Sequence, residues 1–159
     1  MVNVGAGEST IDDLNTGGVM QTIVVIDGMG GGIGAQIIEH LRKETIRDAT
    51  IVALGANAAA TQRMIAAGAS KGATGENAIR FSVRTADFIL GPIGIVLANS
   101  MMGEITPEMA RAVTSAPCLK LLLPLSQSQI VIAGTVQKNV NDLICDLVAE
   151  LKNALRPQP

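Results

Sequence analysis

Asp27-Gly28-Met29-Gly30-Gly31-Gly32-Ile33-Gly34 is the stretch whose residue types and spacing are best suited to hold a ligand. Glycines let a backbone turn tightly and approach a bound molecule, and a helix starting there presents unpaired N–H groups and partial positive charge. The chemistry this suits is capture of a diphosphate or carboxylate, with the helix dipole contributing ~0.3–1 kcal/mol. Gly28, Gly30, Gly31, Gly32, Ile33 and Gly34 are therefore candidate ligand-binding residues. Asp27 is a candidate proton-transfer group, although a carboxylate beside phosphate repels it unless a metal, an amine or a ribose hydroxyl intervenes. The competing reading is a tight structural turn.

Other candidates are dispersed. Ser70-Lys71-Gly72-Ala73-Thr74-Gly75-Glu76-Asn77-Ala78 mixes a cation, hydroxyls, an acid and an amide on a glycine-rich backbone, as ligand loops do. Within it Glu76 is a candidate acid/base or ribose-gripping group and Asn77 a candidate for orienting ligand or water; a solvated loop is the alternative. Asn57 is a candidate to hydrogen-bond a ligand hydroxyl, and Gly91 and Gly94 in Gly91-Pro92-Ile93-Gly94 to form a second wall, the alternative being glycines that only turn the chain. Ser126-Gln127-Ser128 and the group Asn99, Ser100 and Glu104 are weaker candidates. No Ser-His-acid grouping, P-loop lysine or zinc spacing occurs, and His40, the single histidine, has no partner at ligand spacing, so no metal site is expected.

Composition narrows the function classes. Of 159 residues, 48% are hydrophobic and 16% charged, which argues against intrinsic disorder. Twelve Lys and Arg against fourteen Asp and Glu leave a net charge of −2, and there is no Trp or Tyr and only two Phe. That disfavours nucleic acid, which asks for cationic surface and stacking platforms. Apolar runs such as Ile93–Ala98 fall far short of the ~18 residues of a membrane span. Cys118 and Cys145 stand without CxxC spacing and read as buried thiols, and with no secretory start a cytoplasmic protein is expected. Positive mean hydropathy with few charges points to a homo-oligomer.

The elements that must position these residues alternate. Ile23–Ile26, Ile51–Leu54, Ile79–Val83, Phe88–Leu90, Leu119–Leu123 and Ile130–Ala133 read as strands. A helix from Ile33 places Ile33, Ile37 and Leu41 on one face and His40 on the opposite, solvent side. Ala58–Ala67 is a second helix, and Thr106-Pro107-Glu108 marks a helix start by its hydroxyl cap, N1 proline and first-turn acid. Val140, Leu143, Ile144, Leu147, Val148, Leu151 and Leu155 make one stripe of a final amphipathic helix. Alternation of this kind predicts an α/β fold: one doubly wound, mostly parallel sheet with helices on both faces, Rossmann-like, over 21–155. Residues 1–20 read as a glycine-containing extension and 156–159 as a tail.

Gly28, Gly32, Ile33 and Gly34 also resemble the GxxxGIG fingerprint of short-chain dehydrogenases, and Gly30, Gly32 and Ala35 the general dinucleotide pattern. The dehydrogenase resemblance stops there, because those enzymes use a tyrosine and this chain has none. Asp-Gly-Met-Gly-Gly resembles a metal-binding segment of metal-dependent phosphatases, but no second Asp-Gly pair accompanies it. Taken together, IDGMGGGIG, ALGANAAAT, GATGENAI, GPIGIVLANSMMGEITPEMA and the last helix resemble the short bacterial family called domain of unknown function number thirty-eight forty-two. The resemblance spans about 21–152 and implies a small Rossmann-like protein without implying an activity. Two functions are thereby expected: binding of a nucleotide, dinucleotide or other phosphorylated metabolite, or a non-catalytic scaffolding subunit of a homo-oligomeric or filamentous assembly.

Overall fold

The computed structural model describes residues 20–44, 46, 49–125 and 129–156. The expected 1–20 extension falls outside the described residues except for Met20, as do Ser126-Gln127-Ser128 and the last three residues of the tail. Five strands, β1 (Thr22–Asp27), β2 (Thr50–Gly55), β3 (Lys71–Thr74), β4 (Phe88–Pro92) and β5 (Leu119–Leu123), form one parallel sheet in the order β3-β2-β1-β4-β5. Among the described residues five α-helices connect and flank them: α1 (Gly32–Lys43), α2 (Ala58–Ala66), α3 (Glu76–Ser82), α4 (Pro107–Ser115) and α5 (Val140–Leu155).

The β-branched run of β1 explains its central place, since successive side chains point to opposite faces and both faces are covered. Ile23 and Val25 pack with Ile37, Ile38 and Leu41 of α1, Met64 of α2 and Ile144, Leu147 and Leu151 of α5. Val24 and Ile26 pack on the other side with Ile79 of α3 and Met109 and Val113 of α4. Helices on both faces of a parallel sheet are the doubly wound arrangement. The strand order reverses between β1 and β4, so their carboxyl ends open a crevice at that switch point.

Three expectations about the elements are corrected. Ile79–Val83 belongs to a helix and the 3-10 turn after it: Ile79 and Val83 are buried four residues apart, while Arg80 and Phe81 between them are exposed. Lys71–Thr74 is an edge strand held by its pairing with β2. Ile130–Ala133 forms no strand, and Ile130, Val131 and Ile132 are exposed. The thiols differ too: Cys118 is half-buried and Cys145 exposed, both free. His40 is half-buried, with Nδ1 2.9 Å from the Gln36 carbonyl and Nε2 3.1 Å from Asn141 Oδ1, which ties α1 to α5. Among the described residues no helix is long and apolar enough to cross a membrane.

Candidate functional site

Asp27 ends β1 with its side chain turned under the glycine loop and only 4% exposed. Its Oδ1 accepts the Gly28 N–H at 2.8 Å and its Oδ2 the Gly34 N–H at 2.7 Å, and the Ile33 N–H also faces the carboxylate. The reason lies in the cap of α1. Gly31 occupies the N-cap position at φ +69° and has no side chain to accept a first-turn amide, so the strand supplies that oxygen instead. Burial lifts the Asp27 carboxyl above its ordinary value against the lowering pull of the Gly34, Gly28 and Ile33 amides, and the charge of Glu104 adds to the rise.

Above the loop lies the turn that follows β4. Glu104 reaches in from it, and its Oε2 accepts the Met29 N–H at 3.0 Å and a proton of Asn57 Nδ2 at 2.9 Å. Asn57 also donates to the Met29 carbonyl at 2.8 Å, while its Oδ1 accepts the Ala60 N–H as the N-cap of α2. Met29 itself has φ +52°. On the α2 side Arg63 Nη1 lies 3.4 Å from the Gly30 carbonyl, and a Cβ on Gly32 would sit 3.4 Å from the same atom.

A cleft of about 330 Å³ opens in front of the loop. It is lined by Asp27 through Ile33, by Gln36 of α1, by Pro92 at the end of β4, and by Met101 and Leu125. It therefore sits where β1 and β4 end, at the reversal of strand order. Within the loop, the Gly31 N–H donates to the Gly28 carbonyl at 2.9 Å. With Gly28 and Gly34 bound to Asp27, the Gly30 and Gly32 N–H groups are left without a hydrogen-bond partner among the described residues. Of the expected ligand-binding residues Gly28–Gly34, Gly28, Gly31 and Gly34 thus use their N–H groups within the protein.

The other candidates fall in different places. Gly34 is a packing position, where a Cβ would lie 2.4 Å from Met64 Sδ and 2.9 Å from Asp27 Cβ. Gly91 lets β4 approach β1, and the Gly94 carbonyl accepts Ser100 Oγ at 2.5 Å, so of that second wall only Pro92 reaches the cleft. Glu76 and Asn77 do not line it. Glu76 accepts the Thr106 hydroxyl at 2.6 Å and pairs with Arg80 at 3.5 Å beside the start of α4, and Asn77 is exposed on α3. Arg63 was not signalled by the sequence, since only the packing of α2 beside α1 brings it to the loop. Among the described residues no group of three His, Cys, Asp or Glu is placed to hold a metal ion.

Comparison with known proteins gives a family and a resemblance of shape. The model of the family described as Domain of unknown function (DUF3842) matches residues 22–156. No curated protein matches the chain. The crystal structure of a dodecameric FMN-dependent Ubix-like decarboxylase from Escherichia coli O157:H7 is similar at a TM-score of 0.43 and 13% identity, over 88% of this chain and 96% of that one.

Proposed function

The chain belongs to the family Domain of unknown function (DUF3842), and from that premise we propose that it binds a small phosphorylated ligand, a nucleotide or another phosphorylated metabolite, in the cleft before α1. The observation that carries this reading is the coincidence of three features at one place. The cleft lies at the switch point of the sheet, it is floored by the glycine loop, and the Gly30 and Gly32 N–H groups of that loop have no partner among the described residues, with Arg63 next to Gly30 and Gly32 just outside the cleft's lining. Open α/β sheets take ligands at that point, and backbone amides with a guanidinium are a fitting donor set for phosphate. The volume is at the low end for small-molecule sites, which favours a mononucleotide or smaller ligand over a dinucleotide. Asp27 in this reading holds the loop in shape. Free Cys118 and Cys145 accord with a cytoplasmic setting.

A second reading, a scaffolding subunit that assembles with its own copies, is favoured by the apolar surface after β5, where Val131 is 93% and Val136 74% exposed. One experiment separates the two. Gently purified protein is denatured, released small molecules are identified by mass spectrometry, and thermal unfolding is followed with ATP, ADP, NAD and sugar phosphates. A ligand at a hundred times its Kd stabilises by ~2.7 kcal/mol. No released molecule and no thermal shift, with large assemblies by light scattering, would favour the scaffold.

A further inference from the structure

We infer that Glu104 is a built-in competitor for the ligand's anion, seated on donors beside the glycine loop, and that binding displaces it together with the turn that carries it. This rests on the proposed reading of the cleft. The Glu104 carboxylate takes two hydrogen bonds, from Asn57 Nδ2 and from Met29 N–H on the loop whose next amide, Gly30, has no partner among the described residues. A carboxylate held by a backbone amide and a side-chain amide is the arrangement a phosphate oxygen would adopt in its place. Its neighbour Met101 lines the cleft, and both press on Gly28, where a Cβ would lie 2.8 Å from Met101 Sδ and 2.9 Å from Glu104 Oε2.

The turn is built as a flap. Its base is tied by the Asn99 N–H to the Ile105 carbonyl at 2.7 Å and by Ser100 Oγ to the Gly94 carbonyl at 2.5 Å. Between these ties, the hydrogen bonds of 101–104 are internal to the turn apart from those of Glu104. Three non-glycine residues there have left-handed backbone, Asn99 at φ +63°, Met101 at +54° and Met102 at +57°. Such conformations are unfavourable for side-chain-bearing residues and persist where surrounding contacts impose them. Met102 is 91% exposed, so its own side chain gains little burial in return. The Glu104 bonds hold the flap down together with the packing of Met101 against Gly28 and the core, and Glu104 repels a second anion at short range. An incoming phosphate that takes the Met29 N–H therefore releases the flap and widens the cleft.

The test uses inorganic pyrophosphate as the probe, titrated by calorimetry into the full chain and its Glu104→Ala and Arg63→Ala variants. A flap closed about nine-tenths of the time lowers apparent affinity about tenfold, so Glu104→Ala is expected to bind about ten times more tightly than wild type. Equal affinity of wild type and Glu104→Ala, with Arg63→Ala weaker, would overturn the competition while leaving the site in place. No binding to any of the three would overturn both. Amide NMR of the wild-type protein gives the same answer without a variant. Pyrophosphate is expected to shift Met29 and Gly103 along with Gly30 and Gly32, whereas shifts at Gly30 and Gly32 with Met29 and Gly103 unmoved would refute the displacement.

Discussion

Replacing Asp27 with alanine tests how the glycine loop is held. The side chain is 4% exposed and satisfies the buried Gly28 and Gly34 amides at 2.8 and 2.7 Å, so truncation strands two donors away from water. A buried donor left unpaired costs ~1–3 kcal/mol, and part of that is returned because a carboxylate no longer has to be buried; the net loss is about 2–4 kcal/mol. For a chain of this size that lowers Tm by roughly 4–16 °C, measured by calorimetry or circular dichroism. Asp27→Asn keeps one acceptor and sets an NH₂ against the other amide, so it falls between wild type and alanine. Acidity adds a signed check. Burial raises the folded-state pKa above the ordinary 3.8, so the folded protein holds the proton more tightly than the unfolded chain. The stability this contributes is complete below the unfolded value and is lost as pH rises through the folded one. The gap between wild type and Asp27→Ala therefore narrows with rising pH in that window. A variant as stable as wild type would refute the capping argument, and a gap that widens with pH would show the amides outweighing burial at the carboxylate.

Two further substitutions probe the surroundings. Gly31→Ala places a Cβ 2.6 Å from Ala60 Cα at φ +69°, and left-handed strain with overpacking against α2 is expected to cost about 2–5 kcal/mol in denaturant unfolding. Glu76→Ala removes the acceptor of the Thr106 hydroxyl outside the cleft, so a loss of about 1 kcal/mol is expected with ligand affinity unchanged. A fall in affinity would restore Glu76 to the site.

Much of the frame was legible in the residues. The run Ile23–Ile26 reads as a strand covered on both faces, Thr106-Pro107-Glu108 as a helix start, and Val140–Leu155 as one apolar stripe, because each signal is local. The glycine turn between strand and helix was legible for the same reason. What failed was ambiguous or distant. Ile79 and Val83 fit both a strand and a helix in a five-residue window, and only the sheet leaves room for the helix. Lys71-Gly72-Ala73-Thr74 has weak strand propensity and is a strand because β2 offers it an edge. The contact of Glu104 with Met29 and Asn57 joins three segments 75 and 47 residues apart, and Arg63 reaches the loop from yet another element. Asp27 reads as a misfit beside phosphate in the sequence, but its bond to Gly34 across the turn depends on how the loop folds back.

The most direct trial of the binding account is a titration of ¹⁵N-labelled protein with ADP, followed residue by residue. The largest shifts are expected at the Gly30 and Gly32 amides and the Arg63 side chain, with saturation that weakens in Arg63→Ala. Unmoved amides throughout 27–34, or a saturable response confined to another surface, would contradict it.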